Sequence, residues 1–503
     1  MGTDSADIEV DVVVVGAGGA GMTAAAEAAA AGLKVVIIEK AQVVGGTTRL
    51  SVGSIMAAGG DFQRRAGIAD SPAEHDQDLA RISGALGAHD DPDLRKLLTD
   101  NVADTVRFLQ SIGVNFLGPL PQPPHEKSRL HQVMPTSRAY VHRLEKLCRR
   151  RGVEIRVGTR LTALIVTEGR VTGVVAERDG RPVRLRATRG VVLASGDMGA
   201  NNALMHAHMK SWAKGIEPYN PHSTGDGQVA AAAIGGQIVS RKELGPEMAA
   251  AIRFVRPGPS WLHRVPPYPW LTRAMILAQK LLPAALIRPF TMKFLTTALG
   301  PDRGVYEQGA ILVNRKGERF VDELRAPAIH LTEQPEGEAY IVFDGRFGRK
   351  FSAWPYFIST APGVAFAYLR DYRAARPDLY NEARSIAELA ARLGMPADAL
   401  AATIAATNAG REEALRLVEP PYYALGPVKT WVLVGSIGLA VNTRLEVLDA
   451  DRRAIPGLYA VGQAGVGAMF LSGHGHGLGW AFTSGRLVAR SLAAAAPSAQ
   501  GPD

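Results

Sequence analysis

The stretch "IEVDVVVVGAGGAG", residues 8–21, decides the fold. Residues 8–15 are rich in β-branched side chains and read as a buried strand. Gly16, Gly18 and Gly21 follow in G-x-G-x-x-G spacing, and an Ala-rich helix is predicted over 19–31. A second strand, "KVVIIEK", ends at Glu39. Gly16 permits the tight strand-to-helix turn, Gly18 lets the backbone approach a pyrophosphate, and Gly21 lets helix and strand pack closely. The free N–H groups at the helix start then face the phosphates. Glu39 is placed to accept hydrogen bonds from an adenosine ribose, and an acid there disfavours a 2′-phosphate. Strand, helix, strand and acid in this order predict an α/β dinucleotide site without separating NAD from FAD.

The next segment separates them. "GGTTRLSVGSIMAAGG", residues 45–60, is a Gly/Ser/Thr-rich loop directly after the second strand. Here the chain resembles the fumarate reductase/succinate dehydrogenase flavoprotein superfamily, closest in character to its 3-ketosteroid dehydrogenase branch. The resemblance implies a Rossmann-like FAD-binding domain carrying an inserted α+β cap domain. It also implies that Gly45, Gly46, Thr47, Thr48, Ser51, Val52 and Gly53 wrap FAD near its isoalloxazine ring. Members with covalent flavin carry His just before the paired glycines; Val44 stands there, which implies non-covalent FAD. Together with the fingerprint, Gly16, Ala17, Gly18, Gly19, Ala20, Gly21, Glu39 and Lys40 form the expected nucleotide side of the site.

The resemblance extends over most of the chain. "VEIRVGTRLTALIV", 153–166, reads as strand–turn–strand, with Leu161 and Thr162 expected at the adenine. "RGVVLASGDMGAN", 189–201, reads as a buried strand whose end brings Ala194, Ser195 and Gly196 to the cofactor. "STGDGQ", 223–228, resembles a family helix start, with Thr224 and Asp226 as caps and cofactor contacts. "GAILVNRKGERFVDE", 309–323, resembles a strand–turn–strand of the cap. "SIAELAARLGMPADALAATIAATN", 385–408, predicts two helices, Pro396 opening the second. Gly462 and Gln463 close a late strand beside the flavin. The expected division is FAD domain over 1–240 and 426–503, cap over 241–425, and a disordered tail from about 494.

The chemistry is expected in "MFLSGHGHGLGW", 469–480. A glycine-rich turn enters a helix there, whose first N–H groups suit the negative charge of reduced flavin. The family's two amides fall on Gly477 and Leu478. Dicarboxylate reductases of the family carry a substrate-clamping Arg near Ser472 and a proton-donor Arg at what is Pro327; steroid dehydrogenases have Tyr at the latter place and another Tyr at Leu471. None of these is present. The carbonyl-polarising Gly matches Gly475. His474 and His476 are therefore the leading acid/base residues, with Arg325, His330, Tyr356, Tyr306 and Tyr219 as further candidates. Two His at i, i+2 without two further ligands do not predict a metal site. The expected reaction is dehydrogenation of an apolar, cyclic or steroid-like ketone to an α,β-unsaturated ketone, by proton abstraction and hydride transfer to flavin N5. The alternatives are a C=C reductase of the fumarate reductase type, and a degenerate flavin-binding protein at a membrane.

Composition bounds the partners. The 503 residues include 47% apolar and 21% charged side chains, which excludes a disordered chain. One cysteine, Cys148, forbids an internal disulfide and fits a reducing cytoplasm. No signal peptide or spanning helix is expected. The net charge of +9 comes with no nucleic-acid motif, so no nucleic acid is expected. The resemblance implies an apolar small-molecule substrate and an external electron acceptor as partners. Between Glu247 and Asp302 there is no acid, but seven bases and several aromatics. Residues 261–295 thus read either as a membrane-surface contact or as a lid over the site.

Overall fold

The computed structural model describes residues 8–209, 216–242, 250–255, 265–361, 365–432, 437–471 and 473–495. Strand β1 (Ile8–Val15) runs into helix α1 (Gly19–Ala30) and returns through β2 (Val35–Ile38). β1 pairs in parallel with β2 on one side and with β3 (Arg181–Leu193) on the other. A late strand, Ala454–Ala460, adds in parallel to β3. Glu446–Leu448 and Glu154–Arg156 close the two edges, and the hairpin Thr159–Thr167/Arg170–Arg178 extends from β3. Val12, Val13, Val14, Val36, Ile37, Val191 and Val192 are wholly buried. Burial on both faces explains why these strands are continuously apolar instead of alternating.

The glycines of the first turn do what their spacing predicts. Gly16 has φ +107°, and a Cβ there would lie 2.5 Å from the Ala194 carbonyl oxygen. A Cβ on Gly21 would lie 2.0 Å from the Gly16 oxygen, so α1 and β1 approach closer than any side chain allows. Helix α2 (Pro72–Ser83) is capped by Ser71, whose Oγ accepts from Glu74 N at 3.2 Å. A three-stranded sheet of Ser54–Met56, Leu130–Met134 and Asn115–Leu120 lies beside the cofactor loops.

The second large sheet has its own core. β4 (Ala250–Phe254) pairs antiparallel with β5 (Tyr422–Val432), whose other partners include Ala339–Phe343, Tyr380–Ala383 and Glu217–Pro218. Ile311–Asn314 adds to Ala339–Phe343. Ile311, Leu312, Val313, Ile341, Val342, Phe343 and Leu425 are wholly buried in this core, and Leu389, Leu400 and Ile404 of two small helices pack on it. Those helices are Ile386–Leu393, ended by left-handed Gly394, and Ala397–Ala409, preceded by Pro396 as predicted. The expected strand–turn–strand at 309–323 is only half formed. Past Asn314 the return arm makes a single bridge, Val313 to Arg319. The Glu323 carboxylate takes over, accepting from Leu312 N at 2.8 Å while held by Arg319 at 2.6 Å. Two further helices, α3 (Pro269–Leu281) and α4 (Ala284–Ala298), flank Pro283.

Helix α5 (His476–Ala494) returns the chain to the first sheet and packs across α1. A Cβ on Gly485 would sit 2.5 Å from the Ala20 oxygen, which fixes this crossing as a glycine contact. α5 continues through Ala494, and the tail from 496 lies outside the described residues. The fold is thus an α/β FAD-type domain, built from early and late segments, with an α+β cap between them.

Candidate active site

A cavity of about 840 Å³ opens where the two glycine loops, the end of β3, the start of α5 and β4 meet. The loops are tied to one another. Gly45 N donates to Ala17 O at 2.8 Å, Gly19 N donates to Thr48 Oγ1 at 3.1 Å, and Asn220 Nδ2 donates to Thr47 Oγ1 at 2.9 Å. Glu39 is nearly buried at the end of β2 and accepts from Ala17 N at 2.8 Å and Ala41 N at 2.9 Å. Two oxygens offer about four acceptor sites, so the carboxylate keeps capacity for a ribose.

Lys40 contacts Thr224 Oγ1 and pairs with Asp226 at 3.1 Å. Asp226 also pairs with Arg160 at 3.3 Å. Thr224 and Asp226 therefore anchor Lys40 and do not cap their helix, whose N-cap is left-handed Gly225 with no side-chain bond. The reason is charge: a mostly buried lysine recruits the nearest carboxylate.

The start of α5 forms another wall. Its N-cap is Gly475, at φ +97°. The helix is held from inside the fold, since Trp480 Nε1 donates to Gly462 O at 3.0 Å and Gly462 N donates to Ser484 Oγ at 2.9 Å. Gly477 and Leu478, in its first turn, line the cavity. First-turn N–H groups have no intrahelical acceptor. A Cβ on Gly18 or Gly477 would meet nothing within 4 Å, so both stand open at a wall that a flat or anionic group can approach.

Of the expected cofactor residues, Gly16, Gly18, Gly19, Ala20, Glu39, Lys40, Gly46, Thr47, Thr48, Ser51, Val52, Gly53, Leu161, Ala194, Ser195, Gly196, Asp226, Gly462, Gln463, Gly477 and Leu478 line this cavity. Ala17, Gly21 and Gly45 stand behind it as packing and hydrogen-bonding backbone. Thr162 does not line the cavity with its side chain. Strand alternation turns it outward, where its Oγ1 donates to Val175 O at 3.0 Å, while Leu161 faces in.

The catalytic candidates divide sharply. His474 and Gly475 line the cavity. His474 opens onto it yet is surrounded by protein. That crowding, with the Arg253 guanidinium second, holds its pKa below the ordinary 6.5 and favours the neutral base. His476 does not reach the cavity. It is wholly buried on the opposite side of the turn, with its Nε2 3.0 Å from His75 Nε2 on α2. Residue i+2 cannot share a face with residue i at a helix start, which is why the two histidines part. Arg325 is 86% exposed and pairs with Asp322 at 3.3 Å, away from the cavity. Tyr356 lies in the cap, under Lys350 at 4.4 Å and against Phe351. His330 is half exposed beside Glu333, and Tyr306 is buried in the cap core. Ser472 lies outside the described residues. Cys148 is buried, bonded to Met22 O at 3.2 Å, and burial pushes its thiol up to about 12, so it is a bystander.

Arg253 and Asp197 are among the cavity residues that the sequence did not single out as site residues. Arg253 on β4 reaches in beside Ala251, two positions away on the same strand face. Burial pushes its guanidinium below the usual range, while Tyr219 opposes that shift. The clue lay in "AAAIRF", where a single Arg alternates with small residues. Tyr219, one of the further acid/base candidates, also lines the cavity. Asp197, two residues past Ser195, is buried there, with its carboxyl raised to about 6 by desolvation and accepting from Gly199 N at 2.8 Å. Among the described residues no cluster of His, Cys, Asp or Glu is placed to hold a metal ion.

A family model described as FAD binding domain matches residues 11–258 and 281–476, and the chain belongs to that family. It is a flavoprotein of the fumarate reductase/succinate dehydrogenase superfamily, with FAD as its cofactor. The chain is 25% identical to a probable fumarate reductase, Ifc3, of Shewanella frigidimarina, over 86% of its own length and 66% of that protein's. The chain thus spans just under two thirds of that relative. It is also 25% identical to a 4-oxocyclohexanecarboxylate 2-dehydrogenase of Sinomonas cyclohexanicum, over 96% of this chain and 92% of the other. Among solved structures, the open conformation of a flavocytochrome c3 fumarate reductase superposes with a TM-score of 0.72 at 23% identity, covering 97% of this chain and 78% of that one. A 3-ketosteroid Δ1-dehydrogenase from Sterolibacterium denitrificans superposes with a TM-score of 0.66 at 21% identity, covering 97% and 99%. The class these matches share with the chain is that of FAD-binding flavoproteins.

Proposed function

We propose that this protein is a dehydrogenase of an apolar cyclic ketone, introducing a double bond next to the carbonyl. The observation that carries the reading is the pairing of His474 and Gly475 on the cavity wall directly before the Gly477–Leu478 turn. Bound FAD supplies the hydride acceptor. The protein's tasks are to acidify the carbon α to the ketone, to accept its proton and to support charge on the cofactor. The Gly475 N–H is the backbone donor for the carbonyl oxygen. His474, held neutral, is the base, and Tyr219 brings a hydroxyl to the same cavity. The cofactor rests non-covalently on the glycine loops, and Gly477 and Leu478 donate toward its anionic reduced form. Electrons leave to an external acceptor. The match to a 4-oxocyclohexanecarboxylate 2-dehydrogenase over nearly the whole of both chains supports the cyclic-ketone part of this reading over one drawn from the larger fumarate reductases.

One observation favours a second reading. Arg253 places a permanent cation in the cavity, as a reductase of an unsaturated carboxylate would need. Arg325, the proton donor expected from sequence for that chemistry, stands outside the cavity and has no part in it. Anaerobic titration separates the readings. Loss of flavin absorbance on adding saturated cyclohexanones or ketosteroids is the expected result. Rapid reoxidation of dithionite-reduced protein by fumarate, acrylate or urocanate, with no bleaching by any ketone, would replace the first reading with the second.

A further inference from the structure

We propose that the outer face of α3 and the turn into α4 dock on an anionic lipid bilayer, holding the protein at a membrane surface. This rests on the cap surface and is independent of the substrate reading. Trp270 is 69% exposed, Leu277 56% and Leu281 72%. With exposed Ala274 they recur at three- and four-residue steps, so they form one stripe along α3. Leu282 and Leu286 continue the stripe through Pro283 into α4. The opposite face of α3 is committed elsewhere. Thr272 is buried and bonded to Asn115, which also donates to Pro269 O at 3.3 Å. The stripe therefore cannot turn inward. α4 sends Met292 and Leu295 into the cap core, followed by Leu299 just past its end, leaving Leu286 outside.

Charge selects the occupant. The sequence from Met248 to Pro301 contains no acid and seven bases. Arg288 is spent on Asp371 and Arg253 on the cavity, but Arg273 stands exposed beside the stripe. A second copy across a twofold axis would set this cationic segment against itself. An anionic bilayer instead offers apolar depth for the stripe and headgroup charge for the bases. Tyr268 and Trp270, both exposed, sit where amphipathic rings favour a lipid–water interface. No helix among the described residues is long and apolar enough to cross a membrane, so the geometry is lying on the surface and not spanning.

The test is co-sedimentation of the FAD-loaded protein with vesicles of phosphatidylcholine containing phosphatidylglycerol as about a third of the lipid. Binding is expected, weaker on pure phosphatidylcholine and in high salt. Trp270→Gln with Leu277→Gln and Leu281→Gln should cut partitioning by about tenfold or more, with the flavin spectrum unchanged. If that triple variant loses FAD, the single variant Trp270→Phe replaces it, and quenching of tryptophan emission by brominated lipid should drop against wild type. Failure of the wild-type protein to bind either vesicle overturns the proposal. So does a dimer of wild type that the stripe substitutions dissolve without any lipid binding, which would assign the face to a second copy.

Discussion

At the scale of single residues, one atom too many distinguishes much of this site. A Cβ on Gly475 would lie 2.8 Å from Met56 N and 3.0 Å from Ile55 C, at a φ of +97° that L side chains rarely adopt. Gly475→Ala must therefore shift the turn carrying His474. Turnover should fall by about 100-fold, as for loss of a donor to a developing oxyanion, while bound FAD remains visible by its absorbance. Arg253 acts on the same group through charge. Because His474 has its pKa held below 6.5, its base form persists into acid, and the acid limb of the kcat/KM profile should lie below pH 6.5. Arg253→Met removes the second cause of that depression. The limb should move up toward 6.5, though not all the way, since crowding remains; an unmoved limb would show that His474 is not the titrating base. Gly475 was legible as a cavity residue because a family position matched, and His474 because it is a titratable neighbour where the family's Arg and Tyr are missing. Arg253 was missed because its alternation with small residues in "AAAIRF" is a short local signal inside a segment whose seven bases read as one cationic surface.

At the scale of elements, α5 is steadied from behind by a buried polar cluster the sequence did not announce. His75 and Asp78 lie one turn apart on α2. His75, His125 and His476 gather with ring centroids 5.2, 5.2 and 6.2 Å apart. Asp78 is held by Arg129, which binds Asp70 at 2.7 and 2.8 Å. Burial first, then Arg129, pushes His75 to about 3 from 6.5. The unfolded chain takes up this proton near 6.5 and the folded one does not. Stability from this group is thus complete above pH 6.5 and is lost as pH falls toward 3, at about 1.4 kcal/mol per pH unit. Urea unfolding followed from pH 7.5 to 5 should show the decline, and His75→Phe should make it shallower, the remainder coming from other buried histidines such as His131, which burial holds at about 4. Strands, helices and their glycine punctuation were legible because period and turn chemistry are local. This cluster joins residues 75, 125 and 476, and no local pattern connects such distances.

At the scale of the whole molecule, the cavity is closed only where three parts of the chain meet: loops of the first sheet, β4 of the cap and the start of α5. A ligand binding there stabilises only the assembled form. Saturating FAD at about 1,000-fold over its Kd should add about 4 kcal/mol, read as a higher Tm for holo than for deflavinated protein. The α/β architecture and cap were legible from two glycine loops and a family pattern spread along the chain. The direction of the cavity wall was not, because it depends on how two sheets face one another. The late strand Ala454–Ala460 and the glycine contact between α5 and α1 carry one more consequence. During synthesis the ribosome releases the fingerprint long before these pieces exist. The nascent first sheet lacks a strand and its cofactor pocket lacks a wall until residues beyond 454 have emerged, so flavin loading is a late event of biogenesis, and a message truncated before that point yields a chain unable to keep its cofactor.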